Sequence, residues 1–410
     1  MQEKIILENG LNIVIEKDNS SKIATFCYLV NCGSFNEDDS NRGIAHFTEH
    51  MLFKGTTNRN FSDINKDIEK VGGMLNAETS YDYTRFYSIV PADKWEIGLD
   101  VISDIIWNNT IPQEEFEKEK NVVIEELIMY EDDPQEKAME NFNIMINEGY
   151  ENRKRIGGTP ETVSNIIRDD MISFIDKYYT PNNITLVITG NVDKKEILNF
   201  LDNYLNTEIT LSKKDEIEKI DILNINGSEV TTKFGNINQS HVVFGTIGPV
   251  PSSNEYIVLE VISNYLGGNS SSKLYHRIRE IEGFAYTVYT RIESLFDSSQ
   301  FIGYIGTNKN NIEKCKEIIF EELNAIIKNG ISEDELLNSI NSLKGNTLLA
   351  LEKCSSKNSY LCNCIICKCD PSLDNYFKQL ENITIEDIKN VTNKYLNENR
   401  ISFSYVISED

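Results

Sequence analysis

The N-terminal third of the chain alternates apolar and polar positions in short runs broken by turn residues, the period of half-buried strands. Residues 3–7 and 11–17 are two such runs, joined by Asn9-Gly10, a strong hairpin signal. Residues 23–31 (IATFCYLVN) are more continuously apolar and predict a buried strand. A polar stretch from Gly33 to Asn41 follows, with Asp39, Ser40 or Asn41 placed to cap a helix over Gly43–Phe53. A second helix runs from Ser62 to about Val71 and stops at Gly72-Gly73. Strands are expected at 74–80 and 83–90, then a helix over 93–108. After Pro112 a helical pattern continues to about Tyr150, with a break near Pro134. Gly157-Gly158-Thr159-Pro160 is a turn with a helix start behind it. ITLVITG (184–190) is a short buried strand, and 193–205 a helix.

Periodicity fades between Asn206 and Asn226, which is polar and charged and is expected to be a linker. The pattern then repeats. Strands are expected at 228–235 and 240–247, a helix at 253–266, and a Gly-rich turn, Gly267-Gly268-Asn269-Ser270, before a helix from Ser272. Strands at 284–294 and 299–308, helices as far as Asn397 and a strand at 401–407 complete the chain. GGMLNAETSYDYTRFYSIV, a helix, then IPQEEFEKEKNVVIEEL parallels GFAYTVYTRIESLFDSSQFIGYIGT, a helix, then ISEDELLNSINSLKGNTLL. The expected class is therefore α+β, with two homologous domains, 1–205 and 227–410, from an internal duplication. Each should be a mainly antiparallel sheet with helices packed on one face.

Chemistry concentrates in His46-Phe47-Thr48-Glu49-His50, within the helix over Gly43–Phe53. A four-residue spacing stacks His46 and His50 on one helical face, where they can share a metal ion. Glu49 sits beside them without being used as a ligand, placed to take a proton from a water at the metal. The chain has only four histidines, and two of them fall in this motif. The second half has no H-x-x-E-H, so only the first can hold this metal. A catalytic zinc generally takes three protein ligands. Neither His241 nor His276 lies in a partner motif, so a carboxylate is expected as the third. Spacing alone leaves Glu115, Glu117, Glu119, Glu125 and Glu126 open, all on the helix after Pro112.

HFTEHMLFKGT, then GGMLNAETSYDYT, then EKEKNVVIEELIMYEDDP, in that order, resemble the pitrilysin family of inverted-motif zinc peptidases. The likeness covers nearly the whole chain and is strongest to short bacterial members that resemble the mitochondrial processing peptidase. It implies that zinc is held by His46, His50 and Glu126, which lies 76 residues after His50. It gives Glu119, two helical turns before Glu126, the part of orienting a ligand or the base. It makes MLNAETS the edge strand that pairs with substrate, with Asn76 and Ala77 beside the scissile bond. It also implies that Arg279 and Tyr286, in KLYHRIREIEGFAYTVYT, hold the substrate carbonyl. Such peptidases enclose their peptide in a clam-shell of four domains. Two chains would be needed here, as a homodimer carrying both residue sets, or as a heterodimer with a related subunit. The activity implied is zinc-dependent endopeptidase, with Glu49 as the base. A dedicated maturation protease for one ribosomally made peptide, or a non-catalytic scaffold subunit, are the neighbouring readings.

Composition narrows the partners. With 65 acidic and 40 basic side chains the net charge is −25, which opposes binding to nucleic acid or to anionic membrane and suits basic peptides. The opening residues MQEKIILENGLNIVIEKD carry no basic region followed by an apolar run, so a cytoplasmic protein is expected. Neither G-x-x-x-x-G-K nor G-x-G-x-x-G occurs. Cys362-Asn-Cys364-Ile-Ile-Cys367-Lys-Cys369 is dense enough in thiols for a second metal. On a continuous helix, however, the four point to different sides, which favours packing.

Overall fold

The computed structural model describes residues 2–150, 153, 155–202, 220–222 and 225–409. The expected linker, 206–226, therefore lies largely outside the described residues. The first half contains β1 (Gln2–Ile6), β2 (Asn12–Lys17), β3 (Ile23–Val30), α1 (Ile44–Leu52), α2 (Phe61–Glu69), β4 (Met74–Thr79) and β5 (Thr84–Pro91). It continues with α3 (Trp95–Trp107), α4 (Gln113–Glu131), α5 (Pro134–Ile146), α6 (Pro160–Asn165), α7 (Arg168–Tyr178), β6 (Ile184–Gly190) and α8 (Lys194–Leu201). The second half contains β7 (Glu229–Lys233), β8 (Ser240–Gly248), α9 (Asn254–Gly267), β9 (Ala285–Ser294) and β10 (Ser299–Thr307). After these come α10 (Ile312–Asn329), α11 (Glu333–Ala350), α12 (Cys354–Ile366), α13 (Leu373–Glu381), α14 (Ile385–Tyr395) and β11 (Ser402–Ile407).

The duplication is explicit in the two sheets. The first has the order β1-β2-β6-β3-β5-β4 and the second β7-β11-β8-β10-β9. Dropping β1 superimposes one order on the other. The single parallel pair also recurs at the same place, β2 with β6 and β11 with β7. β4 and β9 are thus the same edge strand in the two copies. The Asn9-Gly10 turn behaves as its sequence demands, with Gly10 at φ 90° and Gln2–Ile6 paired to Asn12–Glu16.

Each sheet buries both faces, where one had been expected. All of β6, β8 and β10 and seven of the eight residues of β3 are buried, a pattern that a one-sided sheet would not show. In the first sheet one face carries the main core, with Phe26, Tyr28 and Phe86 against Leu99, Ile102 and Ile105 of α3. On the other face lies α12. Its Asn358 Nδ2 donates to Val187 O at 2.9 Å, Thr189 Oγ1 donates to Cys354 O at 3.0 Å, and Cys362 Sγ lies 3.6 Å from Cys27 Sγ. The second sheet does the converse: α5 lays Ala138, Phe142 and Ile146 against Val243, Ile302, Tyr304 and Val406.

The chain accordingly divides into two compact units that are not contiguous in sequence. The first takes the chain up to Ile128, resumes at Arg155 and includes Ala350–Ile366; the second takes α5 from the first half and leaves α12 to its neighbour. This differs from a simple division at a linker. Both helices follow a long helix by only a few residues, α5 after α4 and α12 after α11. Each sheet has a second apolar face that its own half of the chain does not cover.

Candidate metal centre

α1 is a two-sided helix. Ile44, Ala45, Phe47, Thr48, Met51 and Leu52 are buried in the core, and His46, Glu49 and His50 form the remaining, half-buried face. Its start is not capped by Asp39, Ser40 or Asn41. Gly43 is the N-cap, at φ 92°, and a Cβ there would stand 2.4 Å from Gly157 O. The exposed N–H groups are taken by the carboxylate of Glu37, which accepts from Gly43 N and Ala45 N, each at 2.9 Å. Burial pushes Glu37 up to about 8, and those two N–H bonds work against that rise. Asp39 instead pairs with Arg42, and Ser40 bonds to Asp38.

α4 supplies the carboxylates. His46, His50 and Glu126 each present a ligand atom, and these atoms all lie within 4.8 Å of one another. Among the described residues this is the one group of three or more His, Cys, Asp or Glu side chains so placed. His50 Nε2 is 3.3 Å from Glu126 Oε2, and His50 Nδ1 is 3.0 Å from Glu119 Oε1. The seven-residue spacing thus puts both glutamates on the same imidazole, one at each nitrogen. Glu125 is exposed, Glu115 pairs with Lys118, and Glu117 bonds to Gln113.

Two imidazoles and a carboxylate are a catalytic zinc's usual protein donors. His46 Nδ1 is buried and has no hydrogen-bond partner among the described residues. The residues fit zinc. Glu49 is not part of the group; its Oε2 accepts from Thr79 Oγ1 at 2.6 Å, at the end of β4. Burial raises the Glu49 pKa, with the Thr79 bond opposing the rise. Burial holds His46 down at about 4, with the neighbouring His50 adding to the effect. Burial would lower His50 as well, but its bonds to Glu119 and Glu126 outweigh this and lift it to about 9. Without metal, His50 therefore holds a proton at neutral pH and His46 does not. Zinc uptake between pH 6 and 8 is expected to expel about one proton, with apparent affinity rising about tenfold per pH unit. Calorimetry in two buffers of different ionisation enthalpy measures it; an uptake that releases no proton would contradict the His50 state.

Lys54 and Thr79 were not anticipated. Lys54 Nζ lies 2.6 Å from Glu119 Oε2. Its position four residues after His50, in the turn just past the end of α1, was the available signal. Of the substrate-strand residues, Asn76 is exposed on β4, the outermost strand of its sheet, and its Oδ1 accepts from Ala77 N at 2.9 Å.

Arg279 and Tyr286 belong to the second unit, and the structure brings them together. The expected helix from Ser272 is a π-helical segment, Tyr275–Ile281, a winding often found at functional positions. It sets the Arg279 guanidinium 4.8 Å from the Tyr275 ring centre and 4.5 Å from that of Tyr286. Arg279 Nη1 also donates to Tyr286 O at 3.0 Å. Tyr286, near the start of β9, is 76% exposed.

The four clustered cysteines do not converge. Cys362 meets Cys27, Cys364 is buried on α12, Cys367 Sγ faces Leu295 O at 3.9 Å, and Cys369 Sγ faces Cys367 O at 3.5 Å. α12 ends at Ile366, and Lys368 takes φ 54°, so the run is divided between the two units. No helix among the described residues is long and apolar enough to cross a membrane.

A duplicated α+β fold with H-x-x-E-H and a helix glutamate in one metal-sized group defines the inverted-motif zinc peptidase type. The family description "Insulinase (Peptidase family M16)" matches residues 12–157, and "Peptidase M16 inactive domain" matches 165–343. "Uncharacterized zinc protease YmxG" of Bacillus subtilis is 32% identical over 88% of this chain and 87% of its own. "Uncharacterized zinc protease ML0855" of Mycobacterium leprae is 29% identical over 95% of this chain and 88% of its own. Among solved structures, a protease from Helicobacter pylori has the same fold, with TM-score 0.91, 22% identity and 99% of each chain covered. The chain belongs to peptidase family M16.

Proposed function

We propose that this protein is a zinc-dependent endopeptidase acting on peptides or unfolded segments. The observation that carries the reading is one half-buried cluster in which His46, His50 and Glu126 converge while Glu49, tethered by Thr79, adjoins His50 in sequence but lies outside the donor set. The zinc protease descriptions of the relatives support it. Bound zinc would lower the pKa of a water and polarise the scissile carbonyl. Glu49 takes the proton at its oxygen not engaged by Thr79 and returns it to the leaving amine. Its raised pKa brings it nearer to working pH for both transfers. Glu119 accepts from His50 Nδ1 and fixes that ring's orientation. The outer edge of β4, with Asn76 and Ala77, receives the peptide backbone as an added strand.

Arg279 and Tyr286 hold the carbonyl oxygen as charge develops on it. Two domains make half of a clam-shell, so we read the working form as a homodimer in which this pair serves the partner chain's metal centre. The presence of both residue sets in one chain supports self-sufficiency. The negative net charge supports basic peptides as substrates.

The test is cleavage of a quenched basic peptide of about 15–20 residues, long enough to lie along a strand-addition site. Untreated protein is expected to cut it, chelated protein to be silent, and added zinc to restore cutting. Zinc bound without cleavage of any such peptide would move the reading toward a single-peptide maturation protease or a scaffold subunit. Mixing a Glu49→Gln chain with a Tyr286→Phe chain is expected to recover activity that neither shows alone. No recovery, with subunit exchange verified, would reject the shared site.

A further inference from the structure

We infer that Lys54 is a positioning residue for the zinc ligand His50, acting through Glu119; the inference rests on the zinc site proposed above. Four side chains form a continuous line. Lys54 Nζ is 2.6 Å from Glu119 Oε2, Glu119 Oε1 is 3.0 Å from His50 Nδ1, and His50 Nε2 faces Glu126 at 3.3 Å. The Glu119 carboxylate spends one oxygen on the imidazole and the other on the ammonium. Neither partner is loosely held: the Lys54 and Glu119 side chains are 16% and 10% exposed. Lys54 Nζ also lies 4.7 Å from the centre of the Phe61 ring, a second contact that holds the ammonium in place.

Charge explains why a cation belongs there. Glu49, Glu119 and Glu126 place three carboxylates around one half-buried centre. Zinc brings two positive charges, and Lys54 supplies the third. Without Lys54 the Glu119 carboxylate would be left largely buried beside two others, which is costly in a poorly solvated site. It would relieve that cost by turning toward water, which takes the acceptor away from His50 Nδ1–H and frees the imidazole to rotate. Ligand orientation of this kind is what outer partners of a zinc histidine supply, and losing one weakens metal binding about 10–100-fold. Lys54 stands one step further out, so the lower figure is the expected one.

The measurement is zinc affinity of the full chain by competition with a chromogenic chelator, which needs no catalytic activity. Lys54→Met is expected to bind zinc about tenfold more weakly. Lys54→Arg, which keeps the cation, is expected to recover most of the affinity. Glu119→Gln removes the intermediary, so adding Lys54→Met to it is expected to change nothing further. Wild-type affinity in Lys54→Met, or a loss that simply adds to that of Glu119→Gln, would overturn the inference. Thermal unfolding of the metal-free proteins separates a metal effect from a folding defect; Lys54→Met that unfolds at the wild-type temperature yet binds zinc weakly supports it. His50→Ala measured alongside keeps the two levels apart. If it alone loses zinc, the site stands and only the role of Lys54 falls. If it also binds as wild type does, the zinc site itself is misplaced.

Discussion

Glu49→Gln is expected to keep its zinc and lose turnover by about 10³-fold, within the range that general acid–base groups supply. Gln has the same shape, and its amide oxygen can still accept from Thr79 Oγ1, so the side chain stays where Glu49 lies. His46, His50 and Glu126 are untouched, so bound zinc should equal that of wild type. What is lost is the capacity to take a proton. The metal-free variant should also be no less stable than wild type above neutral pH. Burial raises the Glu49 pKa in the folded state, so its ionisation opposes folding; the stability it allows is complete below the unfolded pKa and declines as pH rises through the folded one. A neutral Gln escapes that decline. Zinc content and kcat measured on one contaminant-free preparation decide the matter: retained turnover would remove Glu49 as the base, and lost zinc would make it a ligand.

Glu126→Gln and Glu125→Gln should differ sharply although they alter adjacent residues. Glu126 faces His50 within the metal-sized group, and Glu125 is exposed on the neighbouring face of α4. Removing the charge at Glu126 takes away an anionic ligand, so zinc should bind more than about 100-fold more weakly, beyond the cost of losing an outer partner. Peptide cleavage should fall with it at limiting zinc. Glu125→Gln should match wild type in both. Equal losses in the two variants, or none in either, would mean that α4 does not present its glutamates to α1 as described.

Much of this protein could be read along the chain because it depends on local periodicity. The helix expected over Gly43–Phe53 is α1 (Ile44–Leu52), and that over 93–108 is α3 (Trp95–Trp107). The duplication was visible because repeated turn and strand signals need no tertiary information. Where the reading failed, a distant segment had intervened. Glu37 caps α1 from six residues before Gly43, across a loop whose own Asp39, Ser40 and Asn41 have the usual composition of caps. α12 and α5 looked like ordinary helices of their own halves, and each covers the sheet built by the other half of the chain, within one unit.

The sequence by itself determined the metal motif. Residues four apart on a helix must share a face, and two histidines and a glutamate in that arrangement have few other uses. It also determined the two-copy architecture. It left five glutamates open on α4; resemblance to a family preferred one, and the packing of α4 against α1 sets Glu126 and Glu119 on opposite nitrogens of His50. Only the tertiary structure decided that, together with the Lys54 link, the Thr79 tether and the helix exchanged by each sheet. The reason is the same in every case. Helical and strand periods specify which side of an element a residue occupies, whereas contacts between elements far apart in sequence depend on how whole faces pack, which a local pattern does not encode.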